Sequence, residues 1–313
     1  MTPEMTILKI CLGLKSSESC LIIADEKKID IAESIFKKAK AFADAELLKI
    51  PEGDFNGQEP PSWAAEKMLG FDVIIFVTSK SLSWTEARIR ATEKGARIAS
   101  MPGITYEIMQ RAIDVNYEYM GKITNKLADI LDSGKKVKVT TKAGTNIDFD
   151  INGRSAYGRN VGVFHNPGDW GNLPGAEAFI APVEKTANGA YVVDASQAGI
   201  GKLKNPITIK VENGFAVKVQ GKEEAKDFKK VIESIEDNNA YNIAEFGIGT
   251  NPKAIVSGIV LEDEKVKGTA HIALGKNSGF GGEIDVPFHV DGVFNSPTIF
   301  VDDKLIMEDG NLL

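Results

Sequence analysis

Cysteine is almost absent from this chain of 313 residues, with only Cys11 and Cys20 present. That count excludes a zinc site built on cysteine. Nine residues apart, the two could form a disulfide, but two small buried thiols in a reducing compartment is the expectation. No apolar run is long enough to cross a membrane. The stretch from Phe71 to Val77 has the length of a strand, far short of the roughly 20 residues a spanning helix needs. A basic stripe is also missing. The 37 basic and 44 acidic residues leave a formal charge of −7, which argues against nucleic acid or an anionic membrane as partner. Met1 to Thr6 carries no basic segment of the signal-peptide kind, so a cytoplasmic location is expected. No glycine-rich phosphate loop follows any strand-like segment, which weakens a nucleotide-binding reading.

What is present is ordinary globular composition, 43% hydrophobic and 26% charged, in a chain long enough for two cores. The first ~120 residues alternate strand and helix patterns, the grammar of a parallel sheet covered by helices. Ser19 to Ala24 and Phe71 to Thr78 read as buried strands, and Leu47 to Ile50 as a short one. From Asp30 to Phe42, Ile31, Ile35, Ala39 and Phe42 share one helical face. Ser83 or Thr85 can cap a helix through Ala91 that ends at Gly95, before a strand at Ala96 to Ser100. A helix from about Val115 to Leu131 bridges to a different pattern of short strands and tight turns. Ala143-Gly144-Thr145 and Asn213-Gly214 each sit between two alternating segments and predict hairpins. One amphipathic helix, about Glu223 to Ile235, interrupts them. The expected fold is therefore α/β, with a parallel-sheet α/β domain over 1–118 and a β-rich α+β metal-binding domain over 119–313.

The chemistry concentrates near the C-terminus. Of three histidines, His271 lies in Gly268-Thr-Ala-His-Ile-Ala-Leu-Gly275 and His289 in Val286-Pro-Phe-His-Val-Asp291. His289 and Asp291 leave the same face of an extended strand. With His271 they make a three-ligand divalent site that leaves positions open. A single strand histidine is more often packed or hydrogen-bonded than metal-bound; two in one segment with Gly275, Gly279, Gly281 and Gly282 shift the balance. Two acids join them. Glu177 follows Pro174-Gly-Ala, and Glu245 sits among small and apolar neighbours in Ile243-Ala-Glu-Phe-Gly-Ile-Gly-Thr-Asn-Pro252. A carboxylate in such company is costly to bury without a cation, a proton or donors.

At these stretches, and at Ser83-Trp-Thr-Glu-Ala-Arg88 and Gly95 to Gly103, the chain resembles the M29 family of metal-dependent aminopeptidases, also called the aminopeptidase T family. The resemblance covers nearly the whole chain. It implies two metal ions, zinc or cobalt, held by Glu177, Glu245, His271, His289 and Asp291. Glu177 or Glu245 would carry the proton for metal-activated hydrolysis of small peptides, in a homodimer. Where those peptidases carry a tyrosine seven residues after the first histidine, this chain has Ser278. The segment between the histidines is also shorter. The superfamily includes dioxygenases resembling 2,5-dihydroxypyridine dioxygenase, which hold one Fe(II) with two histidines and an aspartate. In that alternative His271, His289 and Asp291 form the triad and His165 assists proton transfer. A metal-binding relative without catalysis is the third reading. The expectation carried forward is a hydrolytic metalloaminopeptidase.

Overall fold

A computed structural model describes residues 1–313. The chain forms two compact units, Met1–Tyr117 with Asn160–Gly175, and Glu118–Arg159 with Ala176–Leu313.

The first unit is the expected parallel-sheet α/β structure. Five strands lie in the order Asp44–Lys49, Ser19–Ala24, Val73–Val77, Arg97–Ser100 and Trp170–Asn172, all paired in parallel. Val73 to Val77 is buried at every position, as a strand covered on both faces must be. The helix Ile29–Lys40 buries Ile31, Ala32, Ile35 and Ala39. Thr85 caps the helix Glu86–Glu93 by accepting from the Arg88 N–H, while Ser83 hydrogen-bonds to Ser100 instead. The edge strand Trp170–Asn172 arrives from a segment far along the chain.

The second unit is built on two antiparallel sheets. Both expected hairpins are present: Lys136–Thr140 pairs with Asn146–Asp150, and Ile207–Glu212 with Phe215–Gln220. At the second turn Asn213 and Gly214 have φ of 49° and 79°, the left-handed pair that an Asn-Gly turn supplies at little cost. These four strands belong to an eight-stranded sheet. A six-stranded sheet runs in the order Gly201–Lys202, Ser196–Gln197, His289–Asn295, Thr269–Gly275, Ile243–Gly249 and Glu177–Ile180. One core joins residues of both sheets, including Val139, Phe149 and Ile209 from the larger and Phe246, Ile272, Leu274 and Phe294 from the smaller. The rings of Phe149 and Phe246 stand 5.3 Å apart. Helices Tyr117–Ser133 and Glu223–Glu233 contribute Leu127, Leu131, Phe228 and Ile232 to it. No helix is long and apolar enough to cross a membrane.

Candidate metal centre

Strand alternation divides the six-stranded sheet into two chemically distinct faces. In Ile243–Gly249 the core residues Phe246 and Ile248 alternate with Glu245, Gly247 and Gly249. In Thr269–Gly275, Ile272 and Leu274 alternate with His271, Ala273 and Gly275. Cross-strand register then aligns the polar set, because directly opposed residues of an antiparallel pair share a face. Ala273 lies opposite Glu245 on one side and Asp291 on the other. Gly247 opposes His271, Gly275 opposes His289, and Gly249 opposes Glu177. All five sequence-predicted residues thus emerge from one face, amid glycine and alanine. The absence of a side chain at Gly247 is required: a Cβ there would lie 2.1 Å from His271 Nε2.

The five do not form one ring of ligands. Glu245, His289 and Asp291 bring ligand atoms within 4.8 Å of one another, and Glu177, Glu264 and His271 form a second such group. Glu245 links them, with Oε1 3.2 Å from His271 Nε2 and Oε2 3.5 Å from His289 Nε2. Glu177 Oε2 is 3.5 Å from His271 Nε2, and Asp291 Oδ1 is 3.7 Å from His289 Nε2. His289 Nδ1 donates to the Lys276 carbonyl at 2.8 Å, which turns Nε2 toward the carboxylates.

Two members were not found by reading the sequence. Glu264 and Lys265 belong to the run Glu262-Asp-Glu-Lys265, which by composition reads as a solvated charged segment. All four are buried. Asp263 accepts backbone N–H groups of Ser257 and Gly258, and Glu262 that of Ile255. Lys265 Nζ lies 2.5 Å from Glu177 Oε1 and 2.5 Å from Glu264 Oε1. The signal available beforehand was position: four charges directly preceding the strand that carries His271.

Electrostatics follow from four carboxylates meeting in a buried place. Burial alone would favour the neutral acid at Glu245, but hydrogen bonds and charge from His271 and His289 hold it down at about 2. Burial alone would lower His271, yet the Glu245 hydrogen bond and the charge of Glu177 hold it up at about 9. His289 is likewise raised, burial being outweighed by Asp291 and Glu245. Burial pushes Glu264 up to about 8 against the pull of Lys265. Lys265 is itself raised, because Glu177 and Glu264 outweigh its burial.

The donor set fits a divalent cation. Asp291 Oδ1 and Glu177 Oε2 are buried and have no hydrogen-bond donor, the condition that a metal ion relieves. Carboxylate oxygens and imidazole nitrogens are also the ligand types that suit such ions. His165 stands elsewhere: its Nε2 bonds the Ile10 carbonyl at 2.8 Å within the first unit. Ser278 is exposed, and its hydroxyl donates to Asp285. Tyr191 is buried in the core. Tyr157 instead joins an aromatic group, with ring centroids 5.6 Å from Phe179 and 6.3 Å from Phe280. Phe280 in turn meets His289 edge-on at 5.8 Å.

Comparison with known proteins corrects the expected activity. The profile of the family described as NicX, 2,5-dihydroxypyridine 5,6-dioxygenase, matches residues 22–313. The 2,5-dihydroxypyridine 5,6-dioxygenase of Pseudomonas putida is 26% identical over 197 residues, 59% of this chain and 56% of that relative. The chain thus aligns with little more than half the length of that curated relative. In three dimensions it superposes on the 2,5-dihydroxypyridine dioxygenase of Pseudomonas putida with a TM-score of 0.84 at 17% identity, over 99% of this chain and 96% of the other. AmpT from Thermus thermophilus gives 0.68 at 16% identity, over 99% and 98%. These two likenesses establish the fold. The fold is thus shared with AmpT, whereas membership of the M29 peptidases is not supported and the expected hydrolase, a metalloprotease removing residues from peptides, is overturned by the dioxygenase profile. Two local facts accompany that correction: the Ser278 hydroxyl turns to Asp285, and Glu177, expected to carry a proton, is ion-paired with Lys265. The chain belongs to the 2,5-dihydroxypyridine 5,6-dioxygenase (NicX) family.

Proposed function

We propose that this protein is a ring-cleaving dioxygenase that uses one divalent metal, Fe(II), to open a dihydroxylated aromatic ring. His271, His289 and Asp291 would hold the ion, with Glu245 beside both imidazoles. The observation that carries this reading is the aromatic group next to His289. Phe280 touches the imidazole edge-on, and Phe179 and Tyr157 extend the apolar surface away from it. A flat ring can pack against such a surface while its hydroxyl groups face the polar side of the sheet. A peptide amine has no comparable use for it.

When bound, Fe(II) supplies the one-electron chemistry that lets molecular oxygen react with a ring. The side chains do the rest. The hydrogen bond from His289 to Lys276 sets the direction of Nε2. Phe280, held by the turn from Asn277 to Gly282, limits how the ring can tilt. Glu245, within reach of both imidazoles, accepts from them and fixes how they face the ion. A small-molecule substrate and a homodimeric assembly belong to the same reading.

The test is oxygen uptake after anaerobic loading with Fe(II). Consumption of oxygen together with loss of the ring absorbance of 2,5-dihydroxypyridine is expected, and no release of aniline from aminoacyl anilides. No uptake with any dihydroxylated ring would defeat the proposal. His289→Ala should lose the metal and the uptake while keeping the native circular dichroism.

A further inference from the structure

The sheet face carries two groups spaced to receive a cation, and one of them already holds the ammonium of a lysine. In the group of Glu177, Glu264 and His271 the ammonium of Lys265 lies 2.5 Å from an oxygen of each glutamate. Metal–carboxylate bonds are about 2.0–2.6 Å long, so Nζ stands about where an ion bound to both glutamates would stand. A second ion could not share that place without overlap and strong repulsion between buried like charges. Lys265 is 1% exposed, and its two carboxylate partners leave it no cheap alternative position. In the group of Glu245, His289 and Asp291, which His271 borders with its Nε2 3.2 Å from Glu245 Oε1, no lysine or arginine intrudes, and Asp291 Oδ1 remains without a donor.

We infer that Lys265 is a built-in cation that occupies the second metal position and makes the centre mononuclear. This rests on the metal reading above and adds what sets the number of ions. The chain gains a fixed single charge where a divalent ion would otherwise bring two. Glu177 and Glu264 are thereby removed from metal ligation and become the anchors of a positioning residue. Through Glu177, whose free Oε2 lies 3.5 Å from His271 Nε2, Lys265 also steadies the imidazole that faces the remaining site.

The test counts metal ions by elemental analysis and by calorimetric titration with Co(II), on wild type, Lys265→Gln and Lys265→Arg. One ion per chain is expected for wild type and for Lys265→Arg, and two for Lys265→Gln, the second appearing as a separate binding event. Two ions in the wild type would overturn the inference and leave the metal reading standing, as would a folded Lys265→Gln that still binds one. No ion in any of the three would overturn both. If Lys265→Gln fails to fold alone, added Co(II) should restore its circular dichroism and raise its Tm, because the ion replaces the lost ammonium. A variant that stays unfolded at every Co(II) concentration counts against the inference.

Discussion

At Gly247 the backbone has no side chain because the imidazole of the neighbouring strand needs the space. An added methyl would fall 2.1 Å from His271 Nε2 and 2.2 Å from Cε1, so Gly247→Ala must push the ring aside or bend the strand. The expected cost is about 1–3 kcal/mol of stability, as for other overpacked sites. Metal affinity should fall at the same time, which calorimetric titration would detect. Unchanged affinity would mean that His271 is not a ligand. Phe280 makes a different prediction. If the ring of the substrate rests on it, Phe280→Ala removes an aromatic contact of about 0.5–1.5 kcal/mol. KM should rise roughly two- to twelvefold, with metal content unchanged. Loss of metal instead would show that Phe280 serves His289 rather than the substrate.

Strands and loops decide whether these residues stay in place. The loop from Lys276 to Phe288 carries Phe280 and presents His289, and it is tied down by a buried polar group. Asn277 donates to Glu184 at 2.9 Å, the Glu283 N–H donates to the same carboxylate, and Arg154 pairs with it. Burial opposes ionisation of Glu184, but these donors hold its carboxyl below the ordinary range. In the first unit Arg97 plays an equivalent part for the sheet. Its guanidinium donates to both oxygens of Glu18, at 3.0 and 2.8 Å, with side chains only 8% and 16% exposed. The Arg97 hydrogen bond is the main reason that the Glu18 carboxyl is lowered. A lowered acid contributes stability that is complete above its unfolded value, about 4.3, and is lost as pH falls through the folded value. Glu18→Gln should therefore weaken the protein at pH 7, by about 3 kcal/mol for a broken buried pair. Its deficit relative to wild type should shrink below about pH 4. Denaturant midpoints at pH 7 and pH 3.5 check this, and an equal deficit at both would refute it.

On the scale of the whole molecule, a bound ion is part of the stability of the chain. Four carboxylates converge where only Lys265 and protonated imidazoles oppose them, so a divalent ion binds the native state far better than the unfolded one. At a hundred times its Kd the ion should add about 2.7 kcal/mol. Thermal scans should show Tm rising on metal loading and falling with chelator. A midpoint indifferent to both would remove the metal from the account.

Much of this architecture was legible in the chain itself. Asn213-Gly214 fixed a hairpin because its left-handed turn is a local property. Continuous apolar runs marked Val73–Val77 as a central strand, and the spacing of His289 and Asp291 placed both on one face, because side-chain alternation needs no knowledge of the rest of the fold. Family motifs singled out Glu177, Glu245 and His271 but pointed to a hydrolase, whereas the family profile that matches is that of a dioxygenase. What tertiary structure alone decided was distance. Lys265 meets Glu177 across 88 residues of sequence, a contact set by the register of three strands and by the burial of a segment that looks solvated in composition. Phe280 comes beside His289 only because the loop between them closes on Glu184. Alternation along a strand is local and survives in one dimension. Register and loop closure are long-range, and they determine which charges share a site and whether one of them already fills it.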